Sequence, residues 1–510
     1  MVPWLTLLVL LPIVGSVIVL LLPRGANSAT LIKRFATIWS LIPLAIAGYL
    51  WLLIFDPNSP TMQFQETAMW ISSLNVRYHV GVDGLSMPLV FLTTLLTTLG
   101  VFYSSYVIEE RVREFFFMFL LLEAGMLGVF VSLDFFLFYV FWEIGLVPMY
   151  FLIAVWGHAE DRPLYSAIKF FLYTLAGSVF MLLAMIALYI NTSTANTPGT
   201  FDLVELAARH PFANDYVFAS LAFWAIFLAF AIKVPLFPFH TWLPDAHTAA
   251  PTAGSVILAG ILLKLGTYGF VRILLPIFPQ VFQANAVLIA VLAGISIVYG
   301  ALVAMAQTDF KRLIAYSSVN HMGYVILGVA AAAAAGAANL TDRSIALNGA
   351  ILQMFNHGVI TGALFFIVGM LYERAHTRDL KQFGGLGAKL PIYAGMLLMA
   401  SFASLGLPGL AGFVSEFLVF RGAFSSLTLI ASIAVAGIVF TAAMFLWKVI
   451  QNVLLGPFNE RWTGLADLRT FEVITLVPLA FLMLLIGIYP SSVLNTINTV
   501  SVAILSGLKF

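Results

Sequence analysis

Long uninterrupted apolar runs, parted by short polar connectors, set the pattern of this chain. Fourteen stretches reach the roughly 20 residues needed to cross a hydrocarbon core about 30 Å thick. They are 3–22, 31–55, 84–107, 115–132, 134–156, 165–190, 216–240, 252–274, 280–306, 311–335, 345–372, 391–421, 425–454 and 471–495. Barrel strands alternate apolar and polar residues, whereas these runs are continuous, so the expected fold is an all-α membrane protein of fourteen transmembrane helices. The first run carries neither a basic flank nor a small-x-small cleavage site and is expected to stay as a membrane helix rather than be removed as a signal. In the connector 191–215, the segment FDLVELAARH (201–210) has a helical apolar period and is expected to lie along the membrane surface.

Two runs are interrupted near their middles. KVPLFPFHTWLP (233–244) puts three prolines where the seventh helix should continue, and SLGLPGLAGF (404–413) mixes Gly and Pro in the twelfth. Broken membrane helices free backbone groups that are tolerated only when buried in protein or lining a wet cavity. The breaks lie five helices apart, which divides the chain into helices 1–3 (1–110), a five-helix unit of helices 4–8 (111–275), a second of helices 9–13 (276–455) and a C-terminal helix 14 (456–510). An odd helix count makes the second unit enter from the opposite face, an inverted repeat of the kind found in ion transporters.

Composition sharpens this reading. Of 510 residues 62% are hydrophobic and 9% charged, against roughly 25% charged in ordinary globular proteins. A net charge of +1 without basic tails excludes a nucleic-acid binder. The lack of cysteine excludes disulfides, thiolate zinc sites and cysteine-held iron–sulfur clusters, so redox chemistry must happen elsewhere. Of the 24 Lys and Arg, fourteen fall on one set of alternate connectors, six on the other and four inside spans. The richer set, which includes Lys33, Arg34, Lys311 and Arg378, is therefore expected to be cytoplasmic, with both termini outside.

An ionisable group at mid-membrane costs about 2.5–3.5 kcal/mol on insertion scales. Lys169 and Lys448 sit near cytoplasmic helix ends, where a long stem lets the ammonium reach the interface. Glu143 (FYVFWEIGL) has no such route, and Lys233, just before the first proline of the broken seventh helix, is its expected ion-pair partner. Lys264, Glu416, His321 and His357 are also central to their spans, and Glu123, His240 and His247 extend the series. Chains of such proton-exchanging groups make proton pathways. The spacing of His240 and His247 with Asp245 between lacks any accompanying helical metal motif. GGLGAK (384–389) lacks the full phosphate-loop pattern, and GLPGLAG (406–412) lies in a span where no dinucleotide fold can form.

The segments FWEIGLVPMYFLI, KFFLYTLAGS, AIKVPLFPFHTWLPDAHTAAPTAGSVILAGILLKLGTYG and DFKRLIAYSSVNHMGY, with the broken segment ending in SEF, resemble the antiporter-like membrane subunits of respiratory complex I from about residue 80 to 455. The resemblance implies two inverted five-helix repeats and a proton-carrying axis. Glu143 and Lys233 would be an ion pair, Lys264 the central residue and Glu416 the distal one. His321 would connect these two, His240 would lie near the input path, and His247, His357 and Glu123 are further relay candidates. A length near 510 residues, no long lateral helix after residue 495 and Glu rather than Lys at position 416 point to one of the three homologous chains. It also implies other complex I membrane subunits on either side, including the lateral helix of one of them, in a bacterial cytoplasmic or equivalent energy-transducing membrane. NADH, FMN, iron–sulfur clusters and quinone would belong to partner subunits, with no cofactor or metal in this chain. The competing readings are a subunit of a stand-alone multi-subunit cation/proton antiporter, the equivalent subunit of a photosynthetic or hydrogenase complex, and a scaffold whose buried charges only specify packing.

Overall fold

The computed structural model describes residues 2–23, 28–334 and 339–508; Arg24 and Lys509 of the charge count lie outside them. Helices α1 (Trp4–Leu21) and α2 (Ser28–Tyr49, prolonged by a π turn at Leu50–Ile54) lead to a hairpin of β1 (Gln63–Ile71) and β2 (Val76–Val82). After α3 (Ser86–Val107) and α4 (Val112–Val131) come α5 (Phe135–Ile144) and α6 (Leu146–Trp156), two parts of one span that meet at Gly145. Next are α7 (Pro163–Thr192), the short α8 (Leu203–Arg209), and α9 (Tyr216–Lys233) with α10 (Trp242–Ala249) on the two sides of the first break. The following span, Thr252–Ile277, comprises α11 (Thr252–Ile257), α12 (Leu263–Gly269) and α13 (Leu275–Ile277), joined by π turns at Leu258–Leu262 and Phe270–Leu274. Then follow α14 (Pro279–Ala306), α15 (Phe310–Ala333), α16 (Leu340–Ala375) and the single turn α17 (Leu386–Lys389). The second break separates α18 (Pro391–Ser404) from α19 (Ala411–Ser426), and α20 (Thr428–Ala443), α21 (Thr470–Ile488) and α22 (Ser491–Gly507) complete the chain. Among the described residues 13 continuous helical spans are long and apolar enough to cross a membrane, and the remaining expected crossing is the split pair α18 and α19.

The expectation of helices alone misses one element. The connector 56–83 holds an antiparallel hairpin, with Glu66 opposite Val80 and Ala68 opposite Tyr78, turned at Ser72–Leu74 with Asn75 left-handed. It is a fastener. Glu66 accepts the orphan amide of Leu5 at the start of α1 at 2.8 Å, Asp134 accepts the Arg77 amide while capping α5, and His79 meets Asp202, which caps α8, at 2.7 Å. The α8 helix supplies the helix expected within 201–210, burying Leu203 and Leu206.

The expected final helix 471–495 also needs correction. The chain turns at Tyr489 and Pro490, and α22 folds back, burying Val493, Thr496, Ile497, Val500 and Leu505 along one face. Asn498 accepts a 2.7 Å hydrogen bond from Asn348 of α16. Its Ser, Asn and Thr content kept this helix out of the hydropathy pattern.

Burial sorts the helices. The spans holding α11–α13 and α16 are wholly enclosed and α3 and α15 nearly so, whereas α2 and α21 remain largely uncovered. Ionisable residues concentrate on the enclosed helices, where they are shielded from lipid by protein.

Candidate functional site

The first break is built by Pro235, Pro238 and Pro244, which supply no amide donor. The freed groups find partners across the bundle: the Phe237 amide donates to Ser296 Oγ of α14 at 2.9 Å, and the Trp242 indole donates back to Ile232 O at 2.9 Å. Lys233, the last residue of α9, is 1% exposed, with its ammonium 5.1 Å from the Trp142 ring centre and 5.7 Å from that of Phe170. It makes no hydrogen bond, and no carboxylate lies within 4.0 Å of it. The expected Glu143–Lys233 pair is therefore not in direct contact, although Glu143 is the charged group that acts on Lys233 across the gap. Residues 142 and 143 are about 100° apart around the helix, so the turn that aims Trp142 at Lys233 leaves Glu143 on a partly uncovered face of α5.

Lys264 is fully enclosed on α12. The π turn before it brings Ala259 O to 2.5 Å from its ammonium, and His357 Nδ1 of α16 lies 2.6 Å away. This approach depends on glycine: a Cβ on Gly358 would stand 2.8 Å from Gly260 O, so a side chain at 358 would force the two helices apart. With the ammonium donating, Nδ1 of His357 accepts and its proton sits on Nε2, which has no protein partner. The His357 and His321 rings are 5.7 Å apart. Between them and Glu416 lies a small cavity also lined by Gln353, Thr361 and Ser404, with room for about one water.

His321 of α15 completes the row. Its Nδ1 is 3.1 Å from Glu416 Oε1 and its Nε2 is 3.0 Å from Ser404 Oγ. Gln353 donates to the same Glu416 oxygen at 3.4 Å and accepts from Ser415 at 2.5 Å. Glu416 stands on the second turn of α19, just past the break. Gly406, left-handed at φ +80°, lets the chain pass the carboxylate, which lies 3.2 Å from where a Cβ would be. Lys264, His357, His321 and Glu416 thus form one continuous row that can hand a proton along donor–acceptor pairs and one water-sized gap.

Of the other candidates, His247 lies within electrostatic reach of Lys264 and His357, whereas Glu123 and His240 stand apart from the row. Glu123 of α4 is fully buried and both its oxygens lack partners. His240 packs against Phe237 and Tyr299, while His247 stacks on Phe365 with ring centres 4.6 Å apart; all four of their ring nitrogens are unpartnered. Among the described residues no group of three or more His, Asp or Glu has a metal-holding arrangement.

Two features were not legible as site residues. Lys169, expected to reach outward alone, instead pairs with Asp245 of α10 at 2.7 Å, and Arg312 lies 3.8 Å from the same carboxylate. Lys448 is half-buried and has no carboxylate within 4.0 Å among the described residues. Lys311, counted with the connectors, is 3% exposed; its ammonium donates to Ala250 O at 2.5 Å and Thr248 O at 3.3 Å. Arg378 joins it on Thr248 O at 3.1 Å and pairs with Asp161 at 2.6 Å and Asp309 at 3.1 Å. Together they clamp the junction between α10 and α11. His158, whose amide donates to Ala249 O, sits beside these cations; burial first, then Lys311 and Arg378, hold its imidazole down at about 3. The local signal was present in DFKR and HTRD, but only the fold points those cations inward.

A polytopic helical bundle with two broken spans and a buried Lys–His–His–Glu row belongs to the class of membrane proteins built to move ions by alternate protonation. The comparisons agree. The profile of the family "NADH:quinone oxidoreductase/Mrp antiporter, TM" matches residues 132–441, and the chain belongs to that family. It is 41% identical over 501 residues to NADH-quinone oxidoreductase subunit M of Rickettsia conorii, covering 97% of each chain. It is 38% identical to F(420)H(2) dehydrogenase subunit M of Methanosarcina mazei, covering 99% of both. A chain of respiratory complex I from Thermus thermophilus with bound NADH superposes with a TM-score of 0.87 at 29% identity, over 99% of this chain and 100% of that one.

Proposed function

We propose that this chain is the proton-translocating antiporter-like subunit, chain M, of an NADH:quinone oxidoreductase in a bacterial cytoplasmic membrane. The observation that carries the reading is the row Lys264, His357, His321, Glu416, in which each neighbour is a hydrogen-bond partner or faces the next across a water-sized cavity. Lys264 gives up its proton toward His357 Nδ1, the imidazole releases one from Nε2 into the cavity, and His321 passes it to Glu416. Lys233, held by aromatic rings without a hydrogen bond, and Glu143, on the open face of α5, are the input-side charges; they approach when a neighbouring subunit covers that face. His240, His247 and Glu123 are input-side relay members.

In this reading residues 111–275 and 276–455 are the inverted repeats. Chains L and N flank the chain and the lateral helix of chain L runs along it. NADH, FMN, iron–sulfur clusters and quinone sit in partner subunits, and this chain holds no redox centre. A second reading, a subunit of a stand-alone cation/proton antiporter or of a complex using another donor, is favoured by the joint family name and the F(420)H(2) relative. Copurifying flavin and iron–sulfur subunits that oxidise NADH decide for the first.

Lys264→Arg tests the role directly. Arginine keeps the positive charge but does not release its proton at working pH. The assembled variant complex should transfer electrons with a lowered proton-to-electron ratio. An unchanged ratio makes Lys264 structural.

A further inference from the structure

We infer that the cleft between the start of α2 and the end of α3 binds the phosphate headgroup of an anionic phospholipid, a role separate from the translocation row. A cavity of about 460 Å³ is lined by Thr30, Lys33, Arg34, Thr37, Ile38, Phe102, Ser105 and Tyr106. Its chemistry is one-sided. No carboxylate lines it, and among the described residues neither Lys33 nor Arg34 has an acid within 4.0 Å. Thr37 and Ser105 spend their hydroxyl protons on the carbonyls of Lys33 and Phe102, at 2.9 and 2.7 Å. Four donors remain uncommitted: the Lys33 ammonium, the Arg34 guanidinium and the hydroxyls of Thr30 and Tyr106. Two adjacent cations with no carboxylate beside them repel one another until an anion enters, and a tetrahedral phosphate oxyanion accepts from all four donors.

Placement selects a lipid over other anions. Thr30 lies in the first turn of α2 and Tyr106 in the last turn of α3, so the cleft opens where the apolar spans begin, at the level of a headgroup. Below it Ile38, Leu41 and Ile42 are exposed along α2, a ready bed for acyl chains. Basic pockets between helices on the cytoplasmic side suit anionic headgroups, and this end of α2 carries the cytoplasmic charge bias.

The test uses the intact complex purified in mild detergent and placed in nanodiscs of phosphatidylglycerol or of phosphatidylcholine with the same acyl chains. Native mass spectrometry counts retained lipid for wild type and for the double variant Lys33→Gln, Arg34→Gln. Wild type should hold one phosphatidylglycerol more than the variant, with retention weakened about tenfold or more by loss of the two charges. The exchange Lys33→Arg, Arg34→Lys should restore it, which separates charge from folding. Equal retention overturns the inference. So does displacement by millimolar inorganic phosphate, which marks a free-anion site, or loss of a neighbouring subunit in place of lipid from the double variant, which marks a protein contact.

Discussion

His357 is the residue on which the translocation row depends most directly, because among the described residues it alone hydrogen-bonds the Lys264 ammonium through a side chain. The Lys264 ammonium has three N–H donors and two acceptors, Ala259 O and His357 Nδ1. His357→Phe fills nearly the same space in an enclosed site but removes one acceptor from a buried charge. A hydrogen bond to a charged group is worth about 1.5–3 kcal/mol, which corresponds to about a ten- to 150-fold change in an equilibrium or rate. Proton delivery through this chain should fall by at least that factor, because the relay imidazole is lost together with the acceptor, while the helices still pack. His357→Gln separates the two contributions: its carbonyl keeps the acceptor, yet an amide cannot take a proton at one atom and release another from a second. The Gln variant should therefore assemble as wild type and still fail to translocate. The assay is proton uptake by vesicles driven by the electron donor, normalised to assembled complex and to electrons transferred. A Gln variant with the wild-type proton-to-electron ratio would refute the relay.

Three further outcomes follow from the geometry. Glu416→Gln keeps an acceptor for His321 and Gln353 but no exchangeable proton, whereas Glu416→Asp keeps the proton about one methylene short; translocation should be lost in the first and partly kept in the second, and the opposite ranking in the vesicle assay would make Glu416 structural. Removing one partner of the half-buried Lys169–Asp245 pair, by Lys169→Met or Asp245→Asn, should lower the thermal stability of the complex by more than half as much as removing both, because the survivor loses its nearest counter-charge; strictly additive losses would show that the pair is not coupled. His158 binds a proton near pH 6.5 in the unfolded chain but only at about 3 when folded, so its stability contribution is full above pH 6.5 and falls as pH drops through that window. His158→Gln should flatten the acid-side fall of thermal midpoint between pH 6.5 and about 3 without change above pH 7, and identical acid profiles would exclude that burial as its cause.

The chain's apolar runs alone determined that it crosses a membrane many times as helices, because no other continuous structure satisfies its backbone groups in lipid. They also located both breaks, since prolines at 235 and 238 and the Gly–Pro mixture after Ser404 remove donors wherever they occur. The unusual charges were legible one by one, for each is costly in its own span. What the sequence left open is how they combine. Lys264 and His357 are 93 residues apart and His321 and Glu416 are 95 apart, so no local period joins them; packing of enclosed helices does, through the close passage of Gly260 by Gly358. The same holds where expectation and structure part. Lys233 turned to aromatic rings rather than Glu143, Lys169 to Asp245 rather than outward, and Lys311 to the carbonyls beyond α10, because a long flexible side chain takes whichever partner the tertiary arrangement brings within reach. Hydropathy fixes which segments enter the membrane, a property of each segment by itself, whereas the order of a proton path is a property of distances between segments and exists only once they pack.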